Sequence, residues 1–401
     1  MDAPEPYIGS MRVAIVGGGV MGVRAAWACA RRGAEVVLHE RRDLAAGSSG
    51  RSGAVLRQHY SSPVVAAMAR DSLVEYGTLE QGTGKAVGFE ACGVLTIAGP
   101  GAPGTLELLR SNVAMQRSIG IDTHLVDARR MRELVPGLVV AEAALGAWEP
   151  GAGFCDPVLA VRAFAALAQE AGAQLRIGSE VHRVVVEAGR AVGVETQAGR
   201  EPADVVVLAA GPWTRRLTDS LGIALPLEVV RPEQHFVSPL PEGDPRRSAH
   251  PVLLDLELGY YTRCEPSKDR TRIGALEHTR DARVPDPDSF DERVDPAFTA
   301  WARAKLLARI PAYRASRDRV PEAALYTLTP DSQPILGPVR ELRGLVIAAG
   351  FSGHGFKLAP SVGEGLAECA FGEPVRSFDP AFFDAVRFHG GQGADPRAFG
   401  L

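Results

Sequence analysis

The sequence predicts an α/β fold, α+β overall, in which one domain is assembled from discontinuous segments and a β-rich lobe is inserted between them. A chain of 401 residues is too long for one ordinary core. Near the N-terminus a glycine-rich turn joins a strand-like run to a helix-like run, and strand-like apolar runs return at residues 203–213 and 344–350. Between those runs, residues 231–325 are rich in Pro, Arg and Asp and carry only short β-like pieces.

The N-terminal elements follow the order of a βαβ unit. MRVAIVG, residues 11–17, is a short apolar run that suits a fully buried parallel strand. Residues 20–32 carry Ala, Met and Trp at helical spacing until Gly33, and AEVVLHE, residues 34–40, is the next strand. This order predicts a Rossmann-like dinucleotide fold.

The middle of the chain repeats the alternation of helix and strand. Residues 156–172 indicate an N-capped amphipathic helix that ends at a glycine. AQLRIG and VHRVVVEAGRAVGVETQAG predict a strand and a hairpin, and ADVVVLAAGPW predicts a buried strand before a tight Gly-Pro turn. GYYTRCE and TRIGALEH belong to the inserted β-rich lobe, and GLVIAAG, residues 344–350, returns to α/β character.

Composition narrows the class of protein. The chain is 46% hydrophobic and 23% charged, which is globular, and its formal net charge of −4 argues against nucleic acid as a partner. No window approaches the roughly 18 apolar residues of a membrane span. The start, MDAPEPYIGS, lacks the charged-then-apolar order of a signal peptide, so we expect a cytoplasmic protein. The sequence does not specify its oligomeric state. The chain contains no CxxC pair, so we expect no metal site of that kind. The thiols are expected to be reduced and mostly buried: Cys29, Cys92, Cys155, Cys264 and Cys369.

The turn GGGVMG fits the G-x-G-x-x-G pattern of a dinucleotide site. Gly17 permits the tight turn, Gly19 lets backbone N–H groups approach a pyrophosphate, and Gly22 lets the helix pack closely. Glu40 ends the second strand, where a carboxylate can accept both ribose hydroxyls. An acid there argues against the 2′-phosphate of NADP and leaves NAD and FAD open.

The segment AGSSGRSGAVLRQHY, residues 46–60, favours a flavin. NAD dehydrogenases seldom carry a polar Gly/Ser-rich segment after the second strand. A flavin enzyme needs such a segment to line the pyrophosphate and to run under the isoalloxazine ring.

This segment, together with the late turn GFSGHGFKLAPSVGEGLAE, resembles the D-amino-acid-oxidase-type FAD-dependent oxidoreductases. The similarity is to the branch of sarcosine oxidases, N-methyl amino acid oxidases and dimethylglycine dehydrogenases. RSGAVLRQHY and AGFSGHGFKLAPSVGE are similar to signatures of sarcosine oxidases, and YTLTPDSQPILGP, residues 326–338, matches in type. The resemblance covers most of the chain, and only loosely residues 231–320.

The resemblance implies a Rossmann-like FAD-binding domain with an inserted β-rich substrate-binding domain. We expect residues 1–90, 150–230 and 325–385 to form the former, residues 91–149 and 231–324 the latter, and residues 386–401 a C-terminal tail. The residues expected to contact FAD are Gly17, Gly19, Val20, Met21, Gly22, Glu40, Arg41, Ser48, Ser49, Arg51, Ser52, Gly53, Val181, Ala210, Gly211, Trp213, Gly350, Ser352, Gly353, His354, Gly355 and Lys357.

The late turn is expected to cover the pyrimidine end of the flavin. Reduced flavin develops negative charge around N1 and the C2 carbonyl, which backbone N–H groups at a helix N-terminus favour. Glycines are expected there because side chains would collide with the ring. Lys357 can add positive charge or bind a substrate carboxylate, and His354 can contact flavin or substrate. A plain helix cap with a surface lysine is the alternative.

The resemblance implies oxidation of a C–N bond in a secondary, N-methylated or cyclic amino acid. The neutral amine passes a hydride to flavin N5, and the resulting imine hydrolyses. Arg57 and Lys357 match carboxylate-binding positions of the branch, and Arg57 suits a bidentate fork, with a structural arginine as the alternative. Tyr260 and Tyr261 match a tyrosine pair of which one member contacts substrate. His278 is a further candidate for the pocket.

Two departures from the branch pattern bear on the chemistry. Ala324 stands where the branch often tethers its flavin through a cysteine, so we predict non-covalent FAD or a tether elsewhere. Arg272 stands where oxidases of the branch place an oxygen-activating lysine, so the electron acceptor is oxygen or another carrier.

Two other functions remain open. A flavin-dependent 2-hydroxy-acid dehydrogenase would need a base, His354 or His278, within reach of N5. A flavin-binding subunit of a larger complex would leave the chemistry to its partner.

Overall fold

The computed structural model describes residues 10–102, 104–240, 250–278 and 281–388. Two segments lie outside this description. Residues 1–9 are those on which the expectation about a signal peptide depends, and residues 389–401 belong to the expected C-terminal tail. None of the described helices combines the length and apolar character that a bilayer crossing requires. The described residues also contain no group of three or more His, Cys, Asp or Glu side chains arranged to hold a metal ion.

The helices begin at strong local signals. Ser62, Asp156 and Asp295 each accept a hydrogen bond from a backbone N–H of the first turn, and each precedes a proline, whose missing N–H leaves no donor unpaired. The described helices are α1 Val20–Arg31, α2 Pro63–Thr83, α3 Thr105–Ser118, α4 Ala128–Leu134, α5 Pro157–Glu170, α6 Thr214–Asp219, α7 Pro296–Arg309, α8 Ala359–Phe371 and α9 Pro380–Phe383.

The strands fall into two large sheets and three small ones. The described strands are β1 Arg12–Val16, β2 Glu35–Glu40, β3 Val55–Leu56, β4 Val94–Ala98, β5 His124–Asp127, β6 Leu145–Glu149, β7 Gly153–Phe154, β8 Gln174–Ile177, β9 Val181–Glu187, β10 Arg190–Thr196, β11 Gly199–Pro202, β12 Val205–Leu208, β13 Glu228–Arg231, β14 Glu233–Val237, β15 Val252–Asp255, β16 Tyr260–Glu265, β17 Arg270–Ala275, β18 Ala282–Arg283, β19 Asp318–Ala323, β20 Tyr326–Leu328, β21 Ile335–Pro338 and β22 Leu345–Ala349.

The first sheet has the order β21-β22-β12-β1-β2-β8, and all neighbours except β21 and β22 pair in parallel. Its strands come from three distant parts of the chain, as the discontinuous α/β fold predicted. Helices α1, α5 and α8 pack together on one face of this sheet, where Ile15, Val23 and Val362 are fully buried. The predicted βαβ unit is therefore confirmed.

The second sheet has eight strands in the order β19-β14-β17-β16-β15-β4-β6-β5. Its core includes Leu95, Leu253 and Ile273, and it is covered in part by α7, which buries Ala302 and Leu306. We did not predict α7 from the sequence, because the surrounding Pro, Arg and Asp residues obscured its apolar spacing. The inserted lobe is therefore β-rich with a covering helix.

Small sheets connect these parts. In one of them β13 pairs with β20 and β18, so it joins segments that lie nearly a hundred residues apart along the chain. In another, Val55 pairs with Phe154, which ties the Gly/Ser-rich segment to the start of α5. The third is the predicted hairpin, extended to β11-β10-β9.

Candidate active site

The N-terminal glycine turn has a backbone that side chains could not follow. Gly17 has a φ of +114°, and a Cβ atom there would lie 2.4 Å from the carbonyl oxygen of Ala209. A Cβ atom on Gly22 would lie 1.9 Å from the carbonyl oxygen of Gly17. The side chain of Ser49 reaches this turn, since its Oγ accepts a hydrogen bond of 3.0 Å from the N–H of Val20. The turn therefore brings the start of α1 against the Gly/Ser-rich segment.

The carboxylate of Glu40 is fixed at the end of β2. One oxygen accepts a hydrogen bond from the N–H of Gly18 at 2.7 Å, and the other accepts one from the N–H of Arg42 at 2.8 Å. Each oxygen keeps a further lone pair, and Glu40 lines the adjoining cavity. A ribose with two hydroxyls fits this carboxylate.

A cavity of about 300 Å³ starts at this turn and ends at the late glycine turn. Most of the residues expected to contact FAD line it: Gly17, Gly19, Val20, Met21, Glu40, Arg41, Ser48, Ser49, Ser52, Val181, Ala210, Gly211, Trp213, Gly350, Ser352, Gly353 and Gly355. The two glycine turns thus converge on one space. With an acid near one end and a glycine turn at the other, the residues present fit FAD; we call this space the cofactor cavity.

Three residues in the wall of the cofactor cavity donate hydrogen bonds to one carboxylate that sequence reasoning missed. Asp288 accepts hydrogen bonds from Arg41 Nη1 at 2.6 Å, Trp213 Nε1 at 2.8 Å and Arg216 Nη1 at 2.9 Å. Arg41 and Trp213 are therefore held by a residue of the inserted lobe. Its only sequence signal was an acid in the stretch PDPDSF.

Arg51 and Arg272 line neither the cofactor cavity nor the smaller cavity beside it. Arg51 donates to the carbonyl of Ala323 at 2.7 Å and pairs with Glu292 at 3.0 Å. Arg272 is 1% exposed, pairs with Glu265 and donates to the backbone carbonyl of Arg51 at 3.1 Å. The Arg272 guanidinium therefore links the second sheet to the Gly/Ser-rich segment, and the catalytic role expected of Arg272 stays a prediction.

The glycines of the late turn are required by the protein itself. Gly353 has a φ of +84°, and a Cβ atom there would lie 2.6 Å from Cε2 of Tyr326. Gly350 has a φ of +70°, and its Cβ atom would lie 2.4 Å from Cγ2 of Thr329. We expected collisions with a flavin ring; the structure shows collisions with neighbouring side chains. Lys357 follows in a short 3₁₀ turn before α8 and is buried, so the surface-lysine alternative is excluded.

A second cavity of about 80 Å³ adjoins the first, and we call it the substrate cavity after the role that the sequence resemblance implies for its lining residues. The two share Ser52, Tyr326, Ser352, Gly353 and Phe356 as lining residues. Five of the residues singled out from the sequence line only the smaller one: Arg57, Tyr261, His278, His354 and Lys357. Gly53 lines it too, so this expected cofactor contact faces the substrate side.

Arg57 and Lys357 are buried cations. Their exposed fractions are 6% and 7%. The Arg57 guanidinium donates to the carbonyl of His59, and Lys357 Nζ donates to the carbonyl of His354 at 3.3 Å. Among the described residues, neither cation has a carboxylate within 4.0 Å. Burial, followed by the neighbouring charge of Arg57, lowers the pKa of Lys357 well below its ordinary value.

Tyr60 and His354 lie between these cations, and we had not singled out Tyr60. The Tyr60 ring centroid is 4.2 Å from Arg57 Cζ and 6.0 Å from Lys357 Nζ. His354 Nε2 lies 2.7 Å from the carbonyl of Ser332, so Nε2 carries the proton and donates it. Its Nδ1 lies 3.4 Å from the Tyr60 hydroxyl. Burial lowers the pKa of His354 to about 3, and Lys357 adds to the shift.

The tyrosine pair is divided by the alternation of β16. Tyr261 faces the substrate cavity, where its hydroxyl would lie 3.1 Å from a Cβ atom on Gly53. Tyr260 faces the opposite side of the sheet, is fully buried in the second core, and its hydroxyl has no hydrogen-bond partner among the described residues. Tyr260 is therefore the member of the pair that lies in the core, and Tyr261 is the one that faces the cavity. His278 lies beside Tyr326 in the cavity wall, and its Nδ1 is 2.9 Å from Asp281.

Glu149 is a second residue that sequence reasoning missed. It ends β6, is fully buried, and accepts a hydrogen bond of 2.6 Å from the N–H of Gln58 on one oxygen. Its other oxygen, Oε1, has no hydrogen-bond partner among the described residues. Burial raises its pKa to about 7, against opposing contributions from the N–H of Gln58 and the charge of Arg57. A lone acid in the apolar run LGAWEPG was the available signal.

Comparisons with known proteins identify the family of the chain. A family model described as FAD dependent oxidoreductase matches residues 12–369. The 4-methylaminobutanoate oxidase (formaldehyde-forming) of Paenarthrobacter nicotinovorans is 31% identical over 97% of this chain and 47% of its own length. Peroxisomal sarcosine oxidase of Mus musculus is 28% identical over 93% of this chain and 95% of its own. The structure of L-proline dehydrogenase from P. horikoshii matches with a TM-score of 0.86 at 27% identity, covering 95% of this chain and 98% of that one. This chain spans about half the length of the first relative.

Proposed function

The chain belongs to the family of FAD-dependent oxidoreductases, and from that premise we propose that it oxidises the C–N bond of a secondary, N-methylated or cyclic amino acid. FAD, when bound, supplies the hydride acceptor of this reaction. The cofactor cavity offers the residues that would hold it, with Glu40 at the ribose and the late glycine turn at the other end.

One observation carries the proposal on substrate class. Arg57 and Lys357 are buried at the wall of the substrate cavity, and no carboxylate of the described residues lies within 4.0 Å of either. A buried cation that no carboxylate contacts is costly unless a ligand supplies the contacting charge. A substrate carboxylate would do so, and the planar fork of Arg57 suits it.

The same cations bear on the amine. An amino acid in solution carries an ammonium, which must lose its proton before its nitrogen lone pair can assist the oxidation. Positive charges nearby disfavour the ammonium, so a substrate held by Arg57 and Lys357 loses this proton more readily. Tyr261 and Tyr326 contribute aromatic walls to the cavity in which the substrate would react.

The names of the relatives support an amine with a carboxylate. 4-Methylaminobutanoate and sarcosine are N-methyl amino acids, and proline is a cyclic secondary amine. A 2-hydroxy acid would bind the same cations but would need a base for its hydroxyl proton. His354 suits that role poorly, because its Nδ1 faces the Tyr60 hydroxyl and its pKa is about 3.

Three finer features belong to the proposal. The FAD is bound non-covalently, since Ala324 has no attachable atom and none of the five cysteines lines either cavity. The protein works in the cytoplasm, which the five free thiols support. The inserted lobe, residues 91–149 and 231–324, is the substrate-binding domain, which the origin of the eight strands supports.

Anaerobic mixing tests the proposal. The purified yellow protein is mixed with N-methyl, cyclic and primary amino acids and with 2-hydroxy acids, and loss of flavin absorbance is followed. Proline and pyrrolidine form a matched pair that differs only in the carboxylate. We expect bleaching by an N-methylated or cyclic amino acid and far slower bleaching by the amine without a carboxylate.

Bleaching by 2-hydroxy acids alone would establish the alternative reaction, and failure of every amine would favour a flavin-binding subunit. Admitting air afterwards distinguishes the electron acceptor, because only an oxidase regains its colour rapidly. Acid precipitation tests the mode of attachment, since non-covalent FAD remains in the supernatant.

A further inference from the structure

None of the described side chains that line the substrate cavity forms an ion pair with the carboxylate of Glu149. Its Oε2 accepts the N–H of Gln58, while Oε1 is buried and unpaired among the described residues. Gln58 is the immediate neighbour of Arg57, so the carboxylate lies behind the loop that supplies this cation. Arg57 Cζ lies 4.2 Å and Lys357 Nζ 6.0 Å from the centroid of the Tyr60 ring, so the two cations and the loop that Glu149 holds form one buried cluster. Within it the charge of Glu149 acts to raise the pKa of Lys357, against the larger lowering by burial and by Arg57.

The other titratable groups around this cluster remain neutral over a wide range of pH. Burial lowers the pKa values of His59 and His354 to about 3 each. Burial raises the pKa of Tyr60 to about 12. Arg57 carries a permanent guanidinium charge. Between these limits, Glu149 and Lys357 are the groups of this cluster whose charge changes. His278 is a further titratable group in the wall of the same cavity, where it contacts Asp281.

We infer that Glu149 is a positioning residue for carboxylate binding: its negative charge, set behind the loop that supplies Arg57, holds Lys357 in the ammonium form that binds the substrate carboxylate. This inference rests on the proposed function, which places the carboxylate between Arg57 and Lys357. Glu149 does not itself line the substrate cavity, and it acts through the lysine.

A purely structural role for Glu149 would be to accept the N–H of Gln58. Glu149→Gln preserves that role, because the amide oxygen can accept the same hydrogen bond. It removes the negative charge and replaces the unpaired oxygen with an amide NH2 group. A change in the pH dependence of ligand binding therefore reports the charge, whereas a change in stability alone reports packing.

The test measures binding of methoxyacetate to the FAD-loaded protein between pH 5 and about 10.5. This carboxylate has an ether oxygen in place of the amine of N-methylglycine, so it has no oxidisable nitrogen. Binding is followed by the perturbed flavin spectrum and by titration calorimetry. In the wild type we expect binding to weaken at high pH as Lys357 loses its proton. We call this loss of binding at high pH the alkaline limb of the binding curve. In Glu149→Gln the alkaline limb moves to lower pH by about one unit or more.

Two further variants keep the result interpretable. Glu149→Asp retains the charge but withdraws it from the cations by one methylene, so we expect the loss of binding at high pH to shift in the same direction by a smaller amount. This variant also replaces Glu149→Gln in the test if the latter fails to retain FAD. Glu142→Gln removes an exposed charge that pairs with Arg132, and its limb should match the wild type.

An alkaline limb that stays in place in both Glu149 variants would overturn the inference while leaving the proposed function intact. If methoxyacetate and other small carboxylates fail to bind the wild type at any pH, the proposed function fails, and the inference fails with it. A downward shift in Glu149→Gln, with Glu142→Gln unchanged, supports both.

Discussion

The guanidinium of Arg57 stacks on the ring of Tyr60, with Arg57 Cζ 4.2 Å from the ring centroid. The ring also lies 6.0 Å from Lys357 Nζ, so it is in contact range of both cations of the cavity. An aromatic face stabilises a cation without neutralising it. This leaves the charge of Arg57 available to a ligand, which an acidic partner at the same place would not.

Removing the ring should therefore weaken binding of carboxylates. Tyr60→Leu loses the cation–π contact, and we expect the dissociation constant of methoxyacetate to rise about five- to thirty-fold, from about 1–2 kcal/mol for a desolvated contact. Tyr60→Phe keeps the ring and loses only the weak contact with His354, so its dissociation constant should stay near that of the wild type. Both are measured by titration at equal FAD content.

A Tyr60→Leu variant that binds methoxyacetate as tightly as the wild type would contradict this role. Equal losses in the Leu and Phe variants would instead assign the effect to the hydroxyl and its contact with His354.

The parts of the site that the sequence predicted are those set by local backbone geometry. Gly17 and Gly22 occupy a turn whose φ angle and close contacts only glycine satisfies, so spacing within a few residues was sufficient. Glu40 follows from the same unit, since it ends the strand next to β1. The predicted strands and the N-capped α5 were found for the same local reasons.

The parts that were missed depend on packing between distant segments. Glu149 acquires its significance only when β6 lies against the loop of residues 57–60, nearly a hundred residues earlier in the chain. Which of Tyr260 and Tyr261 faces the cavity depends on which side of the second sheet that cavity adjoins. Arg272 occupies the expected strand, but its charge is taken by Glu265, an ion pair that spacing did not reveal.

Lys357→Met should separate stability from binding. A buried ammonium without a carboxylate within 4.0 Å destabilises the folded state, so an apolar side chain of similar length should raise the free energy of unfolding by about 1–4 kcal/mol. The same variant should lose most of its affinity for methoxyacetate. The thermal midpoint and the binding titration are measured together.

The control for this prediction is Lys305→Met on α7, which changes a lysine outside both cavities and should leave stability within about 0.5 kcal/mol. A lower thermal midpoint in Lys357→Met would show that the lysine stabilises the ligand-free fold, contrary to our account of the cavity.

The raised pKa of Glu149 predicts a specific dependence of stability on pH. The ordinary pKa is 4.5, and in the folded protein burial raises it to about 7. Between these values the folded state holds a proton that the unfolded state has released, so stability falls as pH rises through this window. Integrated over the window, the loss is about 3 kcal/mol.

Unfolding of wild type and Glu149→Gln at pH 4 to 8 measures this loss. The variant does not titrate at this position, so the stability of the wild type relative to the variant should decline from about pH 4.5 to about pH 7 and then level off. A constant difference across this range would show that Glu149 has an ordinary pKa and is not the desolvated carboxyl that we describe.

Gly353 and Gly120 offer a matched test of the late turn, because both have a φ of +84°. A Cβ atom on Gly120 meets nothing within 4 Å, so Gly120→Ala should cost only the left-handed strain of about 1–2 kcal/mol. Gly353→Ala adds a collision with the ring of Tyr326, which lines both cavities, and should cost a further 1–3 kcal/mol or so. Because Tyr326 must move, we also expect Gly353→Ala, but not Gly120→Ala, to retain less FAD after gel filtration. Equal stability and equal FAD content in the two variants would show that the contact between Gly353 and Tyr326 does not shape the cofactor cavity.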